Sequence, residues 1–227
     1  MWIIGLTGAI GAGKSRVAAY FHRLGIPVHC SDTYIHFLFE NDPDVQQQVK
    51  ALWPDVFAHG KIDRLLLGEK VLSSFDDLHR LEGLLYPKLV ENQRKFLEKN
   101  QYRRERFVVL DVPLLFEVDL DVYCDCVILV SSSSALRKQR VMERKGMTPK
   151  KYLTLENLQM KDSERRKKAD FILYTGRDKG YALKMVQKII FSLSQLPFPK
   201  WQGKWPKNLT RRPHESRNCF RHRNDRI

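Results

Sequence analysis

Cysteine is scarce in this sequence, and the four present, Cys30, Cys124, Cys126 and Cys219, form no spaced framework and no C-x-x-C pair. Zinc binding and thiol redox work therefore have no basis in the sequence, and the cysteines read as core thiols. Cys124 and Cys126 lie two apart in a predicted strand, so they share a face. Long hydrophobic runs are also missing. The stretch from Ile3 to Gly13 has no positive segment ahead of it and is interrupted by Lys14, which excludes a signal peptide or a membrane span there. A cytoplasmic protein is the expectation, with no membrane partner.

Acidic residues are outnumbered, 26 Asp and Glu against 40 Lys and Arg, giving a net charge of +14. The excess is lopsided. Between Pro197 and Ile227 nine Lys and Arg face only Glu215 and Asp225, a net +7 and half of the total. The body is mildly basic, as suits a binder of polyanionic nucleotides, and nucleic acid is not expected as its main partner. The 227 residues allow one core with a small insertion, and there is no internal repeat or low-complexity segment.

Along the chain, Trp2 to Leu6 is an apolar run ended by glycines, predicting a buried strand. A helix follows from Ser15 to Leu24, where Val17, Tyr20, Phe21 and Leu24 recur at helical spacing and Gly25 stops it. A second strand is expected at Ile26 to Cys30, completing a crossover unit that implies a parallel sheet. Between Asp44 and Asn100, Leu67, Val71, Phe75, Leu78, Leu81 and Leu85 repeat at threes and fours, predicting an all-helical insertion. Strands are expected again at Phe107 to Val112, Cys126 to Ser131 and Asp170 to Tyr174. Two helical stretches between the last two run to Lys145 and to about Lys168. A closing helix from about Asp178 to Leu193 carries the stripe Leu183, Val186, Ile190 and Leu193, and from Pro197 on the sequence predicts a mobile basic tail.

Gly8-Ala9-Ile10-Gly11-Ala12-Gly13-Lys14-Ser15 fits G-x-x-x-x-G-K-[ST] between a predicted strand and a predicted helix. Glycines let the backbone curl so that successive N–H groups, from Gly11 through Ala12 and Gly13 to Arg16, face phosphate oxygens at a helix N-terminus. Lys14 is placed to bridge the β- and γ-phosphates, and Ser15 to hold Mg²⁺. A chance match is expected at roughly a few in 10⁵ positions. The guanine-nucleotide motifs D-x-x-G and N-K-x-D are absent, which argues against a GTPase.

Three further groups complete a candidate kinase site. Asp111 ends an apolar strand, where it serves either as a Mg²⁺ ligand or as a turn cap. Asp32 follows the second strand on the rim where open α/β sheets bind ligands. It stands either as the base for an acceptor hydroxyl or as the N-cap of a helix beginning near Thr33. Arg137, Arg140 and Arg144, at i, i+3 and i+7, line either a lid over ATP or a solvated basic face.

Together these segments resemble the bacterial dephospho-CoA kinases over roughly residues 2 to 195. The resemblance rests on Ile4-Gly5-Leu6-Thr7-Gly8, Leu24-Gly25-Ile26-Pro27-Val28, Ile62-Asp63-Arg64, Leu67-Gly68, the block Asp111-Val112-Pro113-Leu114-Leu115-Phe116-Glu117, Arg140-Val141-Met142-Glu143-Arg144, Gln159-Met160 and Ala169-Asp170-Phe171. It implies a P-loop α/β/α core (1–40 and 105–196), a helical acceptor-binding insertion (about 41–104) and a helical lid (about 134–168). It also implies ATP and Mg²⁺ as cofactors and phosphorylation of the ribose 3′-hydroxyl of dephospho-CoA. Carried over by position, Lys14, Asp32 and Arg140 are catalytic, and Gly8, Gly11, Ala12, Gly13, Lys14, Ser15, Arg16 and Arg144 bind the nucleotide. Ser15 and Asp111 hold the metal. This chain departs from the family pattern at Cys30, where an aspartate is usual, at Tyr86, where a histidine precedes the proline, and at Leu158, often an arginine. A nucleoside or nucleotide kinase, or nucleic-acid binding through the tail, are the alternatives.

Overall fold

The computed structural model describes residues 1–58, 60–176 and 179–209. In chain order the elements are β1 (Trp2–Gly8), α1 (Lys14–Arg23), β2 (Val28–Cys30), α2 (Ser31–Asn41), α3 (Pro43–Leu52), β3 (Phe57–Ala58), β4 (Lys61–Ile62), α4 (Arg64–Ser73) and α5 (Phe75–Tyr102). Then follow β5 (Phe107–Asp111), β6 (Cys126–Ser131), α6 (Ser134–Met142), α7 (Pro149–Asn157), α8 (Asp162–Lys168), β7 (Phe171–Tyr174) and α9 (Lys179–Ser194).

Five parallel strands form one sheet in the order β2-β5-β1-β6-β7, with β1 at its centre. Central parallel strands are covered on both faces and so read as unbroken apolar runs, as β1, β5 and β6 do. Alternate residues still divide between the two faces. Ile4, Leu6, Val109 and Ile128 join Val17 and Phe21 of α1 and Val186 and Leu193 of α9 in one core. Ile3, Val108, Leu110 and Val127 join Leu89, Val90 and Leu97 of α5 on the other face. The fold class read from the sequence, a three-layer α/β/α arrangement with a parallel sheet, is the one observed.

A third cluster fills the insertion, where Leu38 and Phe39 of α2, Val45 and Val49 of α3, Leu67 and Val71 of α4 and Leu85 of α5 pack on Trp53. The all-helical expectation needs correction. The insertion holds an antiparallel ribbon of β3 and β4, and two-residue strands are too short to show a period of two. Other boundaries shift for local reasons. β2 starts at Val28 because Pro27 has no N–H for the ladder, although its carbonyl still accepts from Val109. The second helical stretch is split into α7 and α8. The buried stripe of α9 is Ala182, Val186, Ile189 and Leu193, with Leu183 and Ile190 only partly buried. No helix among the described residues is long and apolar enough to cross a membrane.

Residues 197 to 209 have no regular secondary structure, yet they pack as a strap across the end of the sheet away from the P-loop, which corrects the expectation of a mobile tail for this part. The Met1 ammonium donates to Pro199 O, Phe198 meets Phe107 edge-on and the Arg106 guanidinium lies 4.3 Å from its ring centroid. Gln101 donates to Trp201 O at 3.0 Å, and Trp205, 9% exposed, meets Tyr123 and joins Leu209 in the α5-side core. Sparse aromatics without a period carry no secondary-structure signal, but each buries a large apolar area. The rest of the tail, 210–227, lies outside the described residues, Phe220 and the six arginines from Arg211 to Arg226 included. Trp205→Ala is expected to cost about 3 kcal/mol of stability in a denaturant titration. Ending the chain at Leu196, which removes the strap, should lower the midpoint in the same titration.

Candidate active site

The loop between β1 and α1 curls where glycine alone fits. A Cβ on Gly8 would lie 2.6 Å from Val130 O. Gly11 has φ +78°, and a Cβ there would lie 2.5 Å from Arg137 O. Gly13, at φ +91°, is the N-cap of α1 and turns the loop into the helix, leaving the first-turn N–H groups of Lys14 and Ser15 at the loop while that of Arg16 donates to Gly13 O at 3.1 Å. Ser15 and Arg16 are exposed there.

Side chains from distant segments fix the loop from outside. The Ile10 N–H donates to Gln159 Oε1 at 3.0 Å. Arg140 Nη1 donates to Gly11 O at 3.2 Å and to Thr175 Oγ1 at 3.1 Å, and the Thr175 hydroxyl donates to Ala12 O. One residue before the loop, Thr7 Oγ1 donates to Pro113 O at 3.0 Å.

Lys14 Nζ forms an ion pair with Asp111 Oδ1, and the two side chains are only 12% and 2% exposed. Asp111 closes β5 opposite Leu6 on one side and Cys30 on the other. Burial pushes its carboxyl above the usual range, against the pull of the Lys14 ammonium. The negative charge of Asp32 pushes the same way, and a hydrogen bond from the Cys30 thiol opposes it. Asp32 is therefore an electrostatic neighbour of Asp111. It is exposed in the first turn of α2, whose N-cap is Cys30, so the alternative of Asp32 as the N-cap does not hold.

The three arginines do not act as one stripe. α6 ends at Met142, so Arg144 lies beyond it, exposed, in a turn completed by Gly146 at φ +75°. Arg137 is buried and paired with Glu156 at 3.1 Å, and Glu156 also accepts from the Tyr152 hydroxyl at 3.0 Å. Of the three, Arg140 reaches the loop. Past α6 the chain touches the insertion, with Lys151 of α7 paired to Glu69 of α4 at 2.5 Å. Sequence reasoning gave no role to Thr175 or Glu117, quoted Gln159 without one, and read Cys30 as a core thiol, whereas it is half-buried with its thiol donating to Asp111. Thr175 offers only its place directly after β7, on the carboxyl rim of the sheet.

A glycine loop ending in a pinned lysine holds a phosphoryl donor. A basic segment anchored on that loop, with a free carboxylate on the same rim, equips it for transfer to an acceptor, and the class is a P-loop kinase. The family profile described as dephospho-CoA kinase matches residues 2–178, and the chain belongs to the dephospho-CoA kinase family. A dephospho-CoA kinase from Bartonella henselae is 37% identical over 193 residues, 85% of this chain and 98% of the relative. A crystal structure from Thermus thermophilus superposes with a TM-score of 0.71 at 32% identity, over 85% of this chain and 97% of its own. A dephospho-CoA kinase from Campylobacter jejuni gives 0.59 at 25% identity, over 85% and 97%.

Two glycines with positive φ separate loop function from simple strain. Gly11→Ala, blocked by the Arg137 carbonyl, should weaken ATP binding at least about tenfold in a calorimetric titration. Gly25→Ala, at φ +75° in open space, should cost about 1 kcal/mol of stability and leave ATP affinity unchanged.

Proposed function

We propose that this chain transfers the γ-phosphoryl group of ATP to the ribose 3′-hydroxyl of dephospho-CoA, releasing ADP and coenzyme A, the final step of coenzyme A synthesis. The observation that carries this reading is the phosphate loop with Lys14 pinned by buried Asp111, in a chain of the dephospho-CoA kinase family.

In this reading the amides of Gly11, Gly13, Lys14 and Ser15 hold the triphosphate, Lys14 leaves Asp111 to bridge the β- and γ-phosphates, and Arg140 leaves Gly11 O and Thr175 Oγ1 to face the transferring group. Arg144 follows from the turn after α6. The acceptor 3′-oxygen attacks the γ-phosphorus in line, the bond to the β,γ-bridging oxygen breaks, and ADP departs with that electron pair. The acceptor proton passes to the Asp32 carboxylate, which is exposed on the rim and spent on no helix cap. The residues fit a magnesium ion. Asp111 presents a buried carboxylate whose neutralising partner is Lys14, and the Ser15 hydroxyl is exposed in the first turn of α1. Such hard cations keep waters and phosphate oxygens and need few protein ligands. When bound, the ion would neutralise charge on the phosphates.

The domain reading follows the same division. Residues 1–40 and 105–196 form the nucleotide core, about 41–104 the acceptor-binding part and about 134–168 the lid, in a cytoplasmic enzyme. The pairing of Lys151 with Glu69 supports a lid that meets the acceptor-binding part. Nucleic-acid binding through the tail finds no stacking surface in Trp205, which is packed against the body.

An acceptor screen read as ADP release should show turnover with dephospho-CoA and none with adenosine, shikimate or nucleoside monophosphates. Turnover with a nucleoside or nucleotide alone would replace this reading. Asp32→Asn should lower kcat about 10²- to 10³-fold with ATP affinity unchanged, and normal turnover would remove Asp32 as the base.

A further inference from the structure

We infer that Gln159 is a positioning residue for the phosphate loop, held in place by Glu117 through the backbone of Met160. This rests on the reading of the loop as the ATP site.

A loop that offers its amides to phosphate must hold its peptide planes in one orientation before the nucleotide arrives, because amides free to turn lose affinity to ordering. Ile10 is the third residue of the loop, and its N–H is met by a side chain 149 residues further along the chain. Gln159 sits in the short connection between α7 and α8, where its own N–H closes the end of α7 by donating to Glu156 O at 3.1 Å. The next residue holds it from the other side, since the Met160 N–H donates to Glu117 Oε1 at 2.6 Å, with Met160 1% and Glu117 2% exposed. Arg165 of α8 is buried nearby, and its positive charge interacts with the Glu117 carboxylate.

Glu117 is the last residue of the block that begins with Asp111. One seven-residue segment therefore holds the loop at two points: Asp111 holds Lys14 directly, and Glu117 holds Ile10 through Met160 and Gln159. The segment from α6 to α8 touches the loop twice as well, through Arg140 at Gly11 and through Gln159 at Ile10. A displacement of that segment cannot leave the loop unchanged. A glutamine that merely filled a polar gap would affect folding without distinguishing between the two substrates, whereas a positioning role falls on the nucleotide.

The test uses the full chain. Gln159→Met keeps the length and apolar contacts of the side chain but removes the acceptor oxygen. The KM for ATP should rise about tenfold, the size expected when one amide loses its partner, with the KM for dephospho-CoA within about twofold of wild type. Combined with Glu117→Ala, the double variant should be no worse for ATP than the worse single variant. Lys14→Met in the same assay tests the loop as the ATP site, and unchanged ATP affinity there would overturn the functional reading itself. If Lys14→Met is impaired while Gln159→Met keeps the wild-type KM for ATP, raises both KM values equally or changes only the melting temperature, the inference falls. Multiplying effects in the double variant would also overturn the link through Glu117. Should Glu117→Ala fail to fold, the KM split of Gln159→Met decides alone.

Discussion

The ion pair between Lys14 and Asp111 is the constraint around which the site is arranged. A carboxylate buried to this degree is costly unless a cation meets it, and a buried pair seldom gains in net stability over apolar residues. The pair therefore calls for a reason other than stability, and phosphate supplies one. It keeps the lysine extended at the carboxyl rim, ready for an anion that competes for it. The pair also couples two elements that local sequence does not, the start of α1 and the end of β5. Parallel pairing of Leu6 with Asp111 brings the loop and the carboxylate to the same level of the sheet.

Sheet order explains why Asp32 converges on the same place. Because β5 lies between β1 and β2, the end of β2 is next to Asp111 and α2 begins there, with Asp32 in its first turn. The insertion is fastened at this junction. Tyr34 and Ile35 of α2 pack against both the α5-side core and the core of the insertion, so the two clusters are continuous across the cleft floor. Inside that floor, His29 of β2 meets Asn92 of α5 at 2.7 Å and Gln93 donates to Ser31 Oγ at 3.2 Å. Burial lowers the His29 pKa, which keeps the imidazole neutral near pH 7.

Much of this was legible in the sequence where the signal is local or strongly periodic. The continuous apolar runs of β1, β5 and β6 and the glycine loop between strand and helix were read correctly. A strand of two residues has no period, so β3 and β4 were not. Three arginines at helical spacing implied one face, but spacing does not reveal where a helix stops, and α6 ends before Arg144. The aromatics after Pro197 have no repeat, and only the tertiary surface beneath them decides that Trp205 and Leu209 are buried. Gln159, Glu117 and Thr175 act through contacts spanning 43 to 163 residues of chain, beyond the reach of a local motif.

Cys30 tunes the electrostatics beside Asp111. Asp111 is already raised by burial and by the charge of Asp32. A second carboxylate at position 30, facing Asp111 across the β2 and β5 ladder, would add another like charge beside it, with Lys14 as the paired cation. A neutral thiol instead donates a hydrogen bond to Asp111 and favours its charged form. A thiol at position 30 therefore leaves Asp111 with less like charge beside it than a carboxylate would. In the proposed reaction the proton of the acceptor hydroxyl is left to Asp32, which is exposed in the first turn of α2.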